Sequence, residues 1–164
     1  MFSLRVDLQA NPDSFGKLAV VLYRVSQWLP RPLNAVITAL LRILCGFDMP
    51  ASVKAGVGLR LPHGARGSVV HPRAVIGDGV TLHHGVTLGV SGAEHAAPQI
   101  GDGAYIGAGA CILGGVIVGV GAKVGANSVV LMDVPAGATA VGVPASIVRS
   151  AECQIQSIVE GRGD

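Results

Sequence analysis

Residues 99–130 read QIGDGAYIGAGACILGGVIVGVGAKVGANSVV, and an apolar residue returns there at every sixth place: Ile100, Ile106, Ile112, Val118, Val124 and Val130. Working outward, the same register holds at Val70, Ile76, Leu82 and Leu88, unbroken across the gap from Leu88 to Ile100. Small or branched residues stand four places after many of these, as Val80, Val86, Ala104, Ala110, Val116, Ala122 and Ser128. A period of six fits neither an amphipathic helix nor an alternating strand. Short-period self-similarity marks a solenoid, whose units bury their apolar faces only by stacking on one another. Three hexads closing one triangular coil of about eighteen residues make a parallel β-helix, with the apolar position inward and glycine at the corners.

Two segments break the period. From Gly89 to Gln99 the chain is polar, and Glu94 falls where an inward residue belongs, so a protruding loop is expected. Between Leu61 and Val70 the spacing is nine instead of six, which marks a bulge or small loop carrying His63. Function is expected at these irregularities, because a rigid scaffold positions loops. Gly101-Asp102-Gly103 reads as a corner, since no strand-to-helix dinucleotide unit surrounds it.

Upstream of the repeats, Phe15, Leu18, Val21, Leu22, Val25 and Trp28 recur at helical spacing over Asp13 to Leu29, with Asp13 or Ser14 as N-cap and Pro30 as stop. A second helix, from Leu33 to Gly46, has Pro32 at its start and glycine at its end. The expected organisation is a helical segment over 1–47, a β-helix over 48–148 and a tail over 149–164. The apolar run Leu33 to Phe47 is interrupted by Arg42 and falls short of the ~20 residues of a spanning helix. It reads as a buried or surface-lying helix, and proximity to a membrane surface is expected only in that peripheral sense.

Composition narrows the function classes. Twenty of the 24 glycines and all five histidines lie between Gly56 and Gly142, and the formal net charge is only +2. Of the 12 Lys and Arg residues, Lys123 alone lies between Ala74 and Val148, so the repeats offer no basic field for nucleic acid. Cys45, Cys111 and Cys153 are odd in number and lack metal-ligand spacing, which predicts a reduced, cytoplasmic setting. Met1 to Gln9 carries Arg5, Asp7 and Gln9 in place of an apolar run, so no secretory signal is expected there.

The runs Leu61-Pro62-His63-Gly64-Ala65, Gly85-Val86-Thr87-Leu88-Gly89, Ile106 to Ala110, Ala122 to Val130 and Val141-Gly142-Val143-Pro144-Ala145 together resemble the serine acetyltransferase family of hexapeptide-repeat acyltransferases. By its length the chain is similar to the branch that includes colanic acid and other exopolysaccharide acetyltransferases. The resemblance implies a left-handed β-helix, a homotrimer, and acetyl-CoA as cosubstrate. It also implies a general-base histidine at His63, oriented by Asp48 fifteen residues earlier. Such a pair suits attack of a hydroxyl on a thioester. Coenzyme A in the family lies between neighbouring β-helices against small-residue hexads; the matching positions are Ala108 and Ala126, with Lys123 for a phosphate and Gly142 and Pro144 toward the adenine end.

Three departures bear on the acceptor. The family's aspartate before the histidine is Pro62 here, an aspartate of its helical domain is Asn11, and its Arg-His pair in the protruding loop is Ala96-Ala97. A serine site should pair an ammonium and a carboxylate. Their loss favours a saccharide hydroxyl of an exopolysaccharide precursor, with L-serine as the alternative; His84 and His95 are the candidates for contacting the acceptor. A non-catalytic scaffold and a zinc site of the γ-carbonic anhydrase type are the other readings. The spacings of His63, His71, His83, His84 and His95 lack the latter's closely placed ligands, so no metal is expected.

Overall fold

The computed structural model describes residues 2–92 and 96–149. Its solenoid has three sheets of short strands from successive coils, parallel throughout except where the second sheet ends. One sheet stacks Lys54–Ala55, Val75–Ile76, Gln99–Ile100 and Ile117–Val118. The second stacks Thr81–Leu82, Tyr105–Ile106, Lys123–Val124 and Thr139–Gly142, and closes with Ala145–Arg149, which runs antiparallel and ends the stack as a hairpin. The third holds Val69–Val70, Thr87–Gly89, Cys111–Leu113 and Val129–Val130.

Strand register explains why the period of six survives its interruptions. Gln99 pairs with Ile117 and Tyr105 with Lys123, so a regular coil takes 18 residues. Across the loop after Gly89 the partners, Val75 with Gln99 and Thr87 with Cys111, are 24 apart, and the extra length is one hexad. In the coil that carries His63 they are 21 apart, Lys54 with Val75 and Asp48 with Val69, and the three added residues form a turn.

All ten residues of the six-residue register are at most 3% exposed. Like stacks on like, as in the ladder Leu82, Ile106, Val124 and Ala140. Burying each such aliphatic side chain contributes about 1.5–3 kcal/mol, and the buried residues join into one continuous core that runs along the solenoid. Corners permit no side chain where coils touch: a Cβ on Gly107 would stand 2.7 Å from the backbone nitrogen of Ala126.

Three helices precede the solenoid, where two were expected: α1 (Phe2–Ala10), α2 (Ser14–Trp28) and α3 (Leu33–Cys45). The sequence of α1 alternates apolar and polar residues with a period of two, which conceals a helix that tertiary contacts impose. Asp7 is fully buried; its carboxylate accepts from Arg24 Nε at 2.7 Å and from the Leu59 backbone N–H at 3.0 Å. Arg24 in turn donates to the carbonyls of Ala55 and Gly56 on the first coil. Tyr23, also buried, donates its hydroxyl to the Val53 carbonyl, and burial pushes its phenol up to about 12.

The face that α2 buries differs from its most apolar stripe. Gly16, Ala19, Val20, Tyr23 and Arg24 are covered, whereas Phe15, Leu18 and Trp28 remain 39–55% exposed. Small residues decide this, because only they let the helix press on the coil: a Cβ on Gly16 would meet the Leu61 carbonyl oxygen at 2.7 Å. Helix α3 ends at Gly46 in the left-handed conformation, as its sequence predicts. It leaves Leu33, Val36, Ile43 and Leu44 more than half exposed, so core packing does not account for that stripe. Among the described residues no helix is long and apolar enough to cross a membrane.

Candidate active site

The added residues after Leu61 fold into a 3-10 turn, Pro62–Ala65, in which His63 (φ 56°), Gly64 (φ 69°) and Ala65 (φ 50°) are all left-handed. Non-glycine residues in that region cost of order 1–3 kcal/mol each and persist only where their surroundings hold them. Here the surroundings are specific. Gly64 N donates to the Leu61 carbonyl at 2.9 Å, Gly67 N reaches the Gly46 carbonyl at 2.7 Å, and Phe15 at the start of α2 lies against Gly64. The turn thereby presents the His63 side chain outward, exposed, on the lip of a cavity of about 250 Å³.

Asn11, Pro12, Asp13, Arg60 and Pro62 wall that cavity beside the histidine. The Asn11 side chain is fully used by the fold: its amide nitrogen donates to the Leu59 and Asp7 carbonyls, and its oxygen accepts from Leu61 N at 2.7 Å. An aspartate there could not donate to Leu59. Position 11 is thus a clamp between α1 and the coil, and its departure from the family acid has a structural reason. Asp13 caps α2, accepting from Gly16 N. Arg60 points outward from the second sheet's column, bridged to Thr81.

The His84 ring meets His63 edge-on at 6.0 Å, one coil further along. His83 packs on Tyr105 at 4.9 Å, and burial, followed by the neighbouring His84, His63 and Arg60, holds its imidazole below the ordinary histidine value. The buried Ser68 hydroxyl ties the two coils together, donating to the His83 carbonyl and accepting from Val86 N. From His84 a corner column continues through Ala108 to Ala126, traced by the bonds from Gly109 N to the His84 carbonyl and from Asn127 N to the Ala108 carbonyl. It covers two coil rises of about 4.8 Å each. Lys123 stands exposed on the flanking face, and Gly142 and Pro144 form the tip of the terminal hairpin.

Asp48 lies at the base of the first coil, beside the end of α3. Its Oδ1 accepts from Arg42 Nη2 at 2.7 Å, it lines a separate cavity with His71 and Thr87, and among the described residues no hydrogen bond or ion pair joins it to His63. His95 lies outside the described residues. Among the described residues no group of three His, Cys, Asp or Glu side chains is arranged to hold a metal ion. Two cavity residues escaped the sequence reading: Asp13 read only as a helix cap, and Arg60 was unremarkable among outward coil positions. The available signal was the closeness of Arg60 in sequence to the irregular segment that carries His63.

Residues 97–131 match the bacterial transferase hexapeptide (six repeats) family. Over 163 residues the chain is 36% identical to the serine acetyltransferase of Helicobacter pylori J99, covering 90% of this chain and 95% of that one. The chain belongs to the serine acetyltransferase family. Members of this family are acyltransferases that draw on acetyl-CoA. Serine acetyltransferase 1, chloroplastic, of Arabidopsis thaliana is 44% identical over 143 residues, 84% of this chain but 45% of the relative, so the chain spans less than half of that protein. Among solved serine acetyltransferases, the soybean apoenzyme superposes with a TM-score of 0.82 at 39% identity, covering 90% of this chain and 68% of that one. The Brucella abortus S19 serine acetyltransferase in complex with coenzyme A gives 0.80 at 36%, covering 90% and 66%. These relatives lend no support to the exopolysaccharide branch.

Proposed function

We propose that this chain transfers acetyl from acetyl-CoA to the hydroxyl of L-serine, with His63 as general base. The observation that carries the reading is the strained turn that holds an exposed imidazole between a small cavity and the head of a corner column of small residues. In this reading the acceptor hydroxyl lies in the cavity and gives its proton to the imidazole. The oxygen attacks the thioester carbonyl, the C–S bond breaks, and the imidazolium returns the proton to the departing sulfur. Two findings support L-serine over the saccharide acceptor that the sequence favoured. The relatives are named serine acetyltransferases over 81–95% of this chain. The cavity, at about 250 Å³, is below the ~300–1,000 Å³ of ordinary ligand pockets and suits a small acceptor better than a nucleotide sugar. An acceptor comparison by thiol release and product mass tests this: turnover is expected with L-serine, and turnover with a nucleotide sugar but not L-serine would reject it.

Coenzyme A follows the column from His84 through Ala108 and Ala126, where small side chains let a pantetheine arm reach backbone amides. Lys123 meets its phosphate, and Gly142 and Pro144 lie toward the adenine. Lys123→Ala is therefore expected to weaken acetyl-CoA more than its dephospho form, measured as KM for each; equal losses would remove the role. The winding is left-handed, as in the family, and the assembly is a homotrimer. Exposed Val69, Val75, Tyr105 and Ile117 on the sheet faces support association through those faces. Light scattering should give three times the chain mass at micromolar concentration, and a stable monomer would refute the trimer.

A further inference from the structure

We propose that Asp13 and Arg60 form a charge clamp for the amino-acid acceptor, Asp13 receiving its ammonium group and Arg60 its carboxylate in the cavity that His63 also lines. The clamp rests on the L-serine reading above and supplies what the departures at Pro62, Asn11, Ala96 and Ala97 took away. Two side chains of opposite sign wall one small cavity, yet they do not pair with each other or with any other charged side chain among the described residues. Oppositely charged groups that face a common space without closing on each other leave room for a ligand that carries both signs. The rest of the wall beside the histidine is uncharged: Pro12 and Pro62 have no polar side chain, and the Asn11 amide is spent on Leu59, Leu61 and Asp7.

Both clamp residues are fixed by the backbone that carries them. Asp13 uses Oδ1 to cap α2 through Gly16 N, and among the described residues Oδ2 has no hydrogen-bond partner. Arg60 is held by bonds from its N–H to the Val80 carbonyl and from Leu82 N to its own carbonyl. Charges mounted on a helix start and a ladder strand keep their spacing, which a specificity site requires. A neutral sugar could draw hydrogen bonds from these groups but would form no ion pair with either.

The test uses the full chain and three acceptors: L-serine, ethanolamine, which lacks the carboxylate, and 3-hydroxypropanoate, which lacks the ammonium. Each is read by thiol release from acetyl-CoA, or as a competitive inhibitor against L-serine. Asp13→Asn keeps a capping side chain, so folding is retained. It is expected to lose roughly 10- to 100-fold in kcat/KM for L-serine and a similar factor for ethanolamine, mostly in KM, and less than about threefold for 3-hydroxypropanoate. Arg60→Gln should do the reverse, sparing ethanolamine. Equal losses on all three acceptors, or none, would overturn the clamp while leaving the L-serine reading intact. Failure of the unmutated chain to acetylate L-serine has a different signature, and would overturn that reading and the clamp with it.

Discussion

Replacing His63 by alanine is expected to lower kcat by roughly 10²- to 10⁴-fold while acetyl-CoA binding changes little, the signature of a lost general base. The side chain is exposed, so its removal opens no cavity in the core. The backbone around it is the complication, because His63 sits at φ 56° in a turn with two further left-handed residues. Asparagine adopts that conformation more readily than most residues and cannot serve as a base near neutral pH. His63→Asn should therefore keep the melting temperature of the unmutated protein and lose as much activity as His63→Ala. Retained turnover in the asparagine variant would remove His63 from the chemistry. Asp48→Asn is expected to cost less, since the Asp48 carboxylate is engaged by Arg42 at 2.7 Å and has no direct bond to His63.

The largest effect on stability is expected at Asp7, a residue with no part in the chemistry itself. Its two carboxylate oxygens are both committed, to Arg24 and to the Leu59 N–H, and the side chains of the ion pair are 0% and 6% exposed. Asp7→Ala strands a buried guanidinium and a buried backbone donor, at a cost of about 3–5 kcal/mol. For a chain of this size that corresponds to a fall of about 6 to 20 °C in Tm. The double change Asp7→Leu with Arg24→Met removes both charges together and should recover much of the loss. A drop below about 1 kcal/mol for Asp7→Ala in thermal unfolding at fixed protein concentration would show that the network does not hold the helices to the coil.

These two sites mark the boundary of what a single sequence discloses. The solenoid was legible because its signal is repeated: Ile100, Ile106, Ile112 and their equivalents report the same inward position, and all are buried. Loop positions were legible as breaks in that register, and the turn at His63 and the extra hexad after Gly89 both lie where the spacing changes. Helix α1 was not, because its alternating sequence has no helical stripe and its conformation depends on Asp7 and Asn11 meeting residues some 50 positions away. The same holds for the buried face of α2, set by Gly16 pressing on Leu61 rather than by the apolar stripe.

The acceptor site was the least legible part. Pro62, Asn11, Ala96 and Ala97 read as a loss of charge, and the inference to a neutral acceptor followed from residues at family positions alone. Folding brings Asp13 and Arg60, 47 positions apart, to one cavity, and no local pattern in the sequence announces that meeting. His84 is the converse case. It was singled out as a candidate for contacting the acceptor, and its place beside His63 follows from coil stacking, since the turn and the next corner are adjacent rungs.

The central claim is that His63 activates the hydroxyl of L-serine against acetyl-CoA. It is tested most directly by steady-state thiol release from acetyl-CoA by the full chain, with and without L-serine, in parallel with His63→Asn. The expected result is release that requires L-serine, yields O-acetylserine by mass, reaches kcat/KM of ~10⁴ M⁻¹s⁻¹ or more, and falls at least about 10²-fold in the variant. Release that is indifferent to L-serine, or equal in the two proteins, would contradict it.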